Sequence, residues 1–119
     1  MIYHIATRAD WERAQNHGAY RHSSLENEGF IHCSTKEQVV QTANNFFKGQ
    51  TQLLLLQIDE DQLSSECKYE DPAGKGTHDP KHGLLFPHVY GEINLKAVVA
   101  VFDFESDENG EFTLPPNLD

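Results

Sequence analysis

Apolar positions along this chain follow two periods, and the switches between them predict the elements. Residues 2–6 alternate, with Ile2, His4 and Ala6 on one face and Tyr3 and Ile5 on the other, which predicts a strand. Thr7 then caps a helix, with Asp10 completing a weak capping box. Trp11 and Ala14, three apart, point that helix inward, and Gly18 ends it with His17 in the last turn. Residues 19–22 are a short extended piece, and the polar residues 23–28 a loop. Gly29-Phe30-Ile31-His32-Cys33-Ser34 reads as a short buried strand carrying a histidine, and Ser34 with Glu37 reads as a capping box opening the next helix. Over residues 35–47 the period lengthens to that of a helix, with Val39, Ala43, Phe46 and Phe47 on its apolar stripe and Gly49 beyond its end.

The second half is mostly extended. Residues 52–58 are apolar on both faces, the mark of a central strand. A single helical turn is expected over 59–63 and a short strand over 68–70. Residues 71–85 hold Pro72, Gly74, Gly76, Pro80 and Gly83, and predict a long loop. Order resumes at Phe86-Pro87-His88-Val89-Tyr90-Gly91, followed by a brief turn over 93–95 and a strong strand over 97–104. Asn109-Gly110 is a hairpin signal, so 111–114 are expected to pair back on that strand, and residues 116–119 to form a frayed tail. Two early helices and an antiparallel second half predict an α+β fold in one domain, residues 1–115 forming its core.

Charge narrows the partners. The 119 residues carry 19 acidic against 9 basic side chains, a formal net charge of -10, so general nucleic-acid binding is not expected. The N-terminus lacks a basic region followed by an apolar run, so no signal peptide is expected, and the apolar run 53–56 is too short to span a bilayer. Cys33 and Cys67 form neither a CxxC pair nor a disulfide framework, which fits a reducing cytoplasm.

Seven histidines in this length are the main chemical signal. His4, His32 and His88 each sit in or beside a predicted strand. Either they converge on one cleft, as hydrogen-bonding and acid–base groups, or each is satisfied separately by a backbone carbonyl. Ser34 and the helix start after it would add donors for an anion. Tyr90 is followed by Gly91, which leaves room for a ligand against the ring, and Glu92 is a carboxylate able to stabilise a developing cation on a sugar; packing beside a turn and an exposed acid are the plainer alternatives. His78 and His82 are spaced for zinc on a helix, but Pro80 between them opposes a helix and favours solvated loop histidines. His32 and Cys33 alternate to opposite faces, which disfavours a Cys–His nucleophile pair.

Ile2-Tyr3-His4, Trp11 with Gly18, the Gly29–Ser34 string, the Phe86–Gly91 string and Leu95-Lys96-Ala97-Val98-Val99 together resemble the domain of unknown function 952 family, in order and from Ile2 to about Pro115. That family resembles a compact ADP-ribosylation fold, so the resemblance implies an ADP-ribosyltransferase-like arrangement of two early helices on a largely antiparallel split sheet. Tyr3-His4 ahead of Thr7, with Ile31-His32 following, is similar to the layout of RNA 2'-phosphotransferases of that fold. By this resemblance His4 would grip the ADP-ribose part of NAD, His32 would take the second-strand position, and His88 or Tyr90 the third motif. The function implied is binding of NAD or an ADP-ribose-like ligand, with transfer or hydrolysis at the ribose C1'. A non-catalytic small-molecule or protein binding module on the same fold is the alternative, and a metal-dependent hydrolase using His78, His82 and His88 the third.

Overall fold

The computed structural model describes residues 1–72, 85–116 and 118. Its order is β1 (Ile2–Thr7), α1 (Arg8–His17), β2 (Ala19–Tyr20), α2 (Ser24–Asn27), β3 (Ile31–His32), α3 (Lys36–Phe46), β4 (Leu53–Ile58), β5 (Cys67–Glu70), β6 (Phe86–Val89), β7 (Ile93–Asn94) and β8 (Val98–Asp103), with 3-10 turns at Glu60–Gln62 and Leu95–Ala97. The strands form two three-stranded sheets, ordered β1-β4-β8 and β3-β6-β5, and a two-stranded pair β2-β7, all antiparallel. The α+β architecture is therefore the one the hydrophobic pattern predicts.

The central strand β4 explains the layering. Its Leu53, Leu54, Leu55, Leu56 and Ile58 are all buried, because alternation sends them to two different cores. Leu54, Leu56 and Ile58 join Ile2 and Ala6 of β1 in a core shared with Ile31 and Val89. Leu53 and Leu55 join Tyr3 and Ile5 in a second core closed by Val39 and Ala43 of α3 and by Phe104 and Phe112. Burying one such leucine fully contributes about 1.5–3 kcal/mol. The register Ile2↔Ile58 and His4↔Leu56 puts His4 on the first face, among apolar neighbours.

Local signals place the ends of the early helices. The Thr7 hydroxyl accepts from the Asp10 amide at 3.0 Å, and Gly18, at φ 99°, closes α1 in the left-handed conformation. The cap of α3 lies one residue later than the pattern predicts. Thr35 and Gln38 form the capping box, the Thr35 amide donating to Gln38 Oε1 at 2.9 Å, because both backbone groups of Ser34 are already bonded to Tyr3. The predicted loop 23–28 contains the one-turn helix α2, and the predicted turn at 93 is instead β7, paired with β2. Phe46 leaves the apolar stripe of α3 and is 74% exposed. The turn at Asn109-Gly110 forms, but residues 111–114 do not add a strand; both backbone groups of Phe112 bond the Asn44 side chain. A side-chain amide has taken the place of the ladder.

Candidate histidine cleft

A cleft of about 340 Å³ opens between β1, β3, β6 and the end of α3. That volume lies at the small end of the range of ligand pockets. His4, His22, His32 and His88 all line it, with Ser34 and Thr42 adding hydroxyls and Phe46, Phe47 and Phe86 adding apolar wall. The three strand-borne histidines thus reach one place, but their hydrogen bonds divide them sharply.

His4 is spent inside the protein. Its Nδ1–H donates to the His32 carbonyl at 2.6 Å, and its Nε2 accepts from the Tyr20 hydroxyl at 2.8 Å. A carbonyl only accepts, which fixes the tautomer. Burial pulls its pKa from 6.5 down to about 4, despite the opposing bond to the His32 carbonyl. The side chain is a neutral strut between β2 and β3, with no ring nitrogen left to grip a ligand.

His88 is the opposite case. It is fully buried and directly opposite His32 in the β3–β6 ladder, with ring centroids 5.2 Å apart. Phe30 stacks on it at 4.0 Å. Its Nδ1 lies 3.0 Å from Glu70 Oε1, and the same oxygen accepts from the Tyr90 hydroxyl at 2.5 Å. With Nδ1–H on the carboxylate, Nε2 carries the free lone pair, and it has no hydrogen-bond partner among the described residues. Burial lowers the His88 pKa, against the pull of Glu70. Burial would raise Glu70, but the bonds from Tyr90 and His88 outweigh it and hold the carboxyl below its usual value. The bond to Glu70 pushes the Tyr90 hydroxyl up to about 12. A buried imidazole held by an ionised carboxylate, its far nitrogen buried and unpartnered among the described residues, is chemically able to accept a proton there.

His32 stands at the mouth, its side chain 43% exposed, with Nε2 3.0 Å from Glu28 Oε2. His22 is turned the other way: its Nδ1 accepts from the Ser24 amide at 3.1 Å, so the neutral ring carries its proton on Nε2. Ser34 is buried on the wall, its hydroxyl 3.5 Å from that of Thr42. The amides of Ser34 and Thr35 are taken by the Tyr3 carbonyl and the Gln38 side chain, so neither of these two is open to an anion.

The remaining predicted residues lie elsewhere. Tyr90 is not among the residues around the cleft; its hydroxyl donates to Glu70, and the Lys68 ammonium sits 5.0 Å from its ring centre. The space beside Gly91 belongs to Ser65: a Cβ there would meet Ser65 Oγ at 2.4 Å, so the missing side chain serves packing. Glu92 pairs with Arg21 at 3.3 Å and His17 at 3.8 Å, and is not among the residues around the cleft. The carboxylates that serve it are Glu70 and Glu28, which sequence reasoning missed. Glu70 was findable, since alternation over Lys68-Tyr69-Glu70 puts it on one face with Lys68. His78 and His82, and the metal reading built on them, lie outside the described residues. Among the described residues no group of three or more His, Cys, Asp or Glu is placed to hold a metal ion, and no helix is long and apolar enough to cross a membrane.

The chain is thus a small α+β protein with a histidine-lined cleft between two antiparallel sheets. It belongs to the family described as protein of unknown function DUF952, whose model matches residues 5–101. It is similar to the protein CC0527 of Caulobacter crescentus. The crystal structure of that protein is 32% identical, covers 95% of this chain and 93% of its own, and superposes with a TM-score of 0.80. A double mutant of CC0527 gives 31% identity, the same coverage and 0.80. Its solution structure gives 30% identity, coverage of 98% and 95%, and 0.71. No curated protein matches the chain.

Proposed function

We propose that the cleft binds a ribose-bearing ligand of the NAD or ADP-ribose class and that His88 acts as general base in transfer or hydrolysis at its C1'. The observation that carries this is the buried His88, oriented by Glu70 and with its Nε2 unpartnered among the described residues, on the wall of the cleft. A bare imidazole nitrogen in that setting takes a proton from water or a hydroxyl, while Glu70 steadies the imidazolium that forms. Ser34 and Thr42 supply hydroxyls for the ribose, and the phenylalanines supply an apolar wall for a planar ring. The ADP-ribosyltransferase-like fold suggested by the sequence strings agrees with this reading, with one change of role: His4 holds β3 in place and His88 meets the ligand. Breaking a glycosidic bond with cation character at the sugar needs positioning more than covalent help.

The test is thermal unfolding with NAD, ADP-ribose and nicotinamide. A ligand at ~100 times its dissociation constant stabilises the protein by ~2.7 kcal/mol. No shift with any of the three at millimolar concentration overturns the ligand class. A shift without released nicotinamide or ribose after prolonged incubation supports the binding-module alternative.

A further inference from the structure

The two cross-strand histidines each face a carboxylate at 3.0 Å but differ in burial. His88 is fully buried and shares its Nδ1–H with a carboxylate that Tyr90 also holds. His32 has a half-exposed side chain and a carboxylate of its own, Glu28, on Nε2. Their rings meet edge to face at 5.2 Å, so a charge on one opposes a charge on the other. A buried ring fixed by a carboxylate, beside a ring open to water at the mouth of the cleft, is a pairing able to divide the base and acid roles.

We infer that His32 is the general acid partnering His88, and that the cleft therefore takes an O-linked ribosyl substrate whose leaving oxygen must be protonated. This rests on the reading of the cleft as a site of C1' chemistry. In the step, a water oxygen bonds to C1' as its proton passes to His88 Nε2. The C1'–O bond breaks with its electron pair on the leaving oxygen, which takes the Nδ1 proton of His32. His88 ends as imidazolium on Glu70, and His32 ends neutral with its Nε2–H still on Glu28. Exchange with solvent returns both to their starting states. NAD does not need this acid, because nicotinamide leaves its pyridinium form as a neutral molecule. An acid beside the base thus marks an alcohol-derived leaving group.

Two measurements test the inference. Nitrogen-15 NMR of the imidazoles in the free protein at neutral pH is expected to show His88 neutral, with its proton on Nδ1 and Nε2 unprotonated. A proton on Nε2 of His88 at that pH overturns the base, and the assignment with it, before any substrate is tried. The second uses ADP-ribose carrying methanol at C1' and ADP-ribose carrying p-nitrophenol there. His32→Gln is expected to slow cleavage of the methyl compound by about 100-fold or more, the usual scale of general acid catalysis. It should change cleavage of the nitrophenyl compound by no more than about threefold, because nitrophenolate leaves unaided. Equal losses on both overturn the acid role and leave the base reading standing. No cleavage of either compound by the unmodified protein overturns C1' chemistry itself, and the O-linked assignment with it.

Discussion

Acidification should destabilise this protein through one identifiable side chain, His4. In the folded state its pKa is about 4, against an ordinary value of 6.5. The unfolded chain therefore binds the proton first as pH falls. Stability contributed by neutral His4 is complete above 6.5, declines by about 1.4 kcal/mol per pH unit below it, and levels off once pH passes below about 4. The whole loss is about 3 kcal/mol, a large share of the stability of a small domain. The cause is structural: protonation must place a charge on a ring whose Nε2 already accepts from Tyr20 inside the first core. His4→Gln removes the titration. At neutral pH the variant should be less stable by about 1–3 kcal/mol, because Tyr20 or the His32 carbonyl loses its partner. As pH falls its stability should approach that of the unmodified protein, which is losing its own. Urea unfolding from about pH 7 to pH 4 measures both curves. Parallel curves across that range would refute the account, since the slope would then belong to other groups.

Two further outcomes follow from the geometry around β5 and β6. Glu70→Gln should return the Tyr90 hydroxyl from about 12 toward the ordinary value of 10, because its shift comes first from the bond to Glu70; ultraviolet titration of the tyrosines reads this directly. Gly91→Ala should cost about 1–3 kcal/mol through the clash with Ser65, whose Cβ would lie 2.9 Å from the added carbon, and combining it with Ser65→Gly should recover most of the loss in thermal unfolding.

The strands and helices with a strong period were legible in the sequence. β1, α1, α3, β4 and β8 fall within a residue or two of the expected positions, because burial on one or both faces writes itself into residue order. The misses share a cause. The cap of α3 moved because the backbone of Ser34 bonds Tyr3, a partner remote in sequence. The strand expected at 111–114 did not form because Asn44, sixty-eight positions earlier, bonds Phe112. In the cleft, a sequence can say that His4, His32 and His88 belong on strands. It cannot say which ring nitrogens are taken. That depends on Tyr20, Glu70 and Glu28, each supplied by the fold.

The leucine run of β4 has a consequence for how damage spreads through the molecule. Leu53 and Leu54 are bonded neighbours, yet one belongs to the core under α3 and the other to the core beneath the histidine sheet. The backbone of β4 is a partition, and its two faces belong to separate packing neighbourhoods. Truncation of either leucine empties space on one side only, so adjacent positions behave as near-independent losses while Leu54 and Ala6, paired across the ladder, share theirs. Sequence adjacency is a poor guide to mutational kinship here. The useful distance is measured through the sheet, and by that measure the support of the cleft can be worn away from one side while the other stays whole.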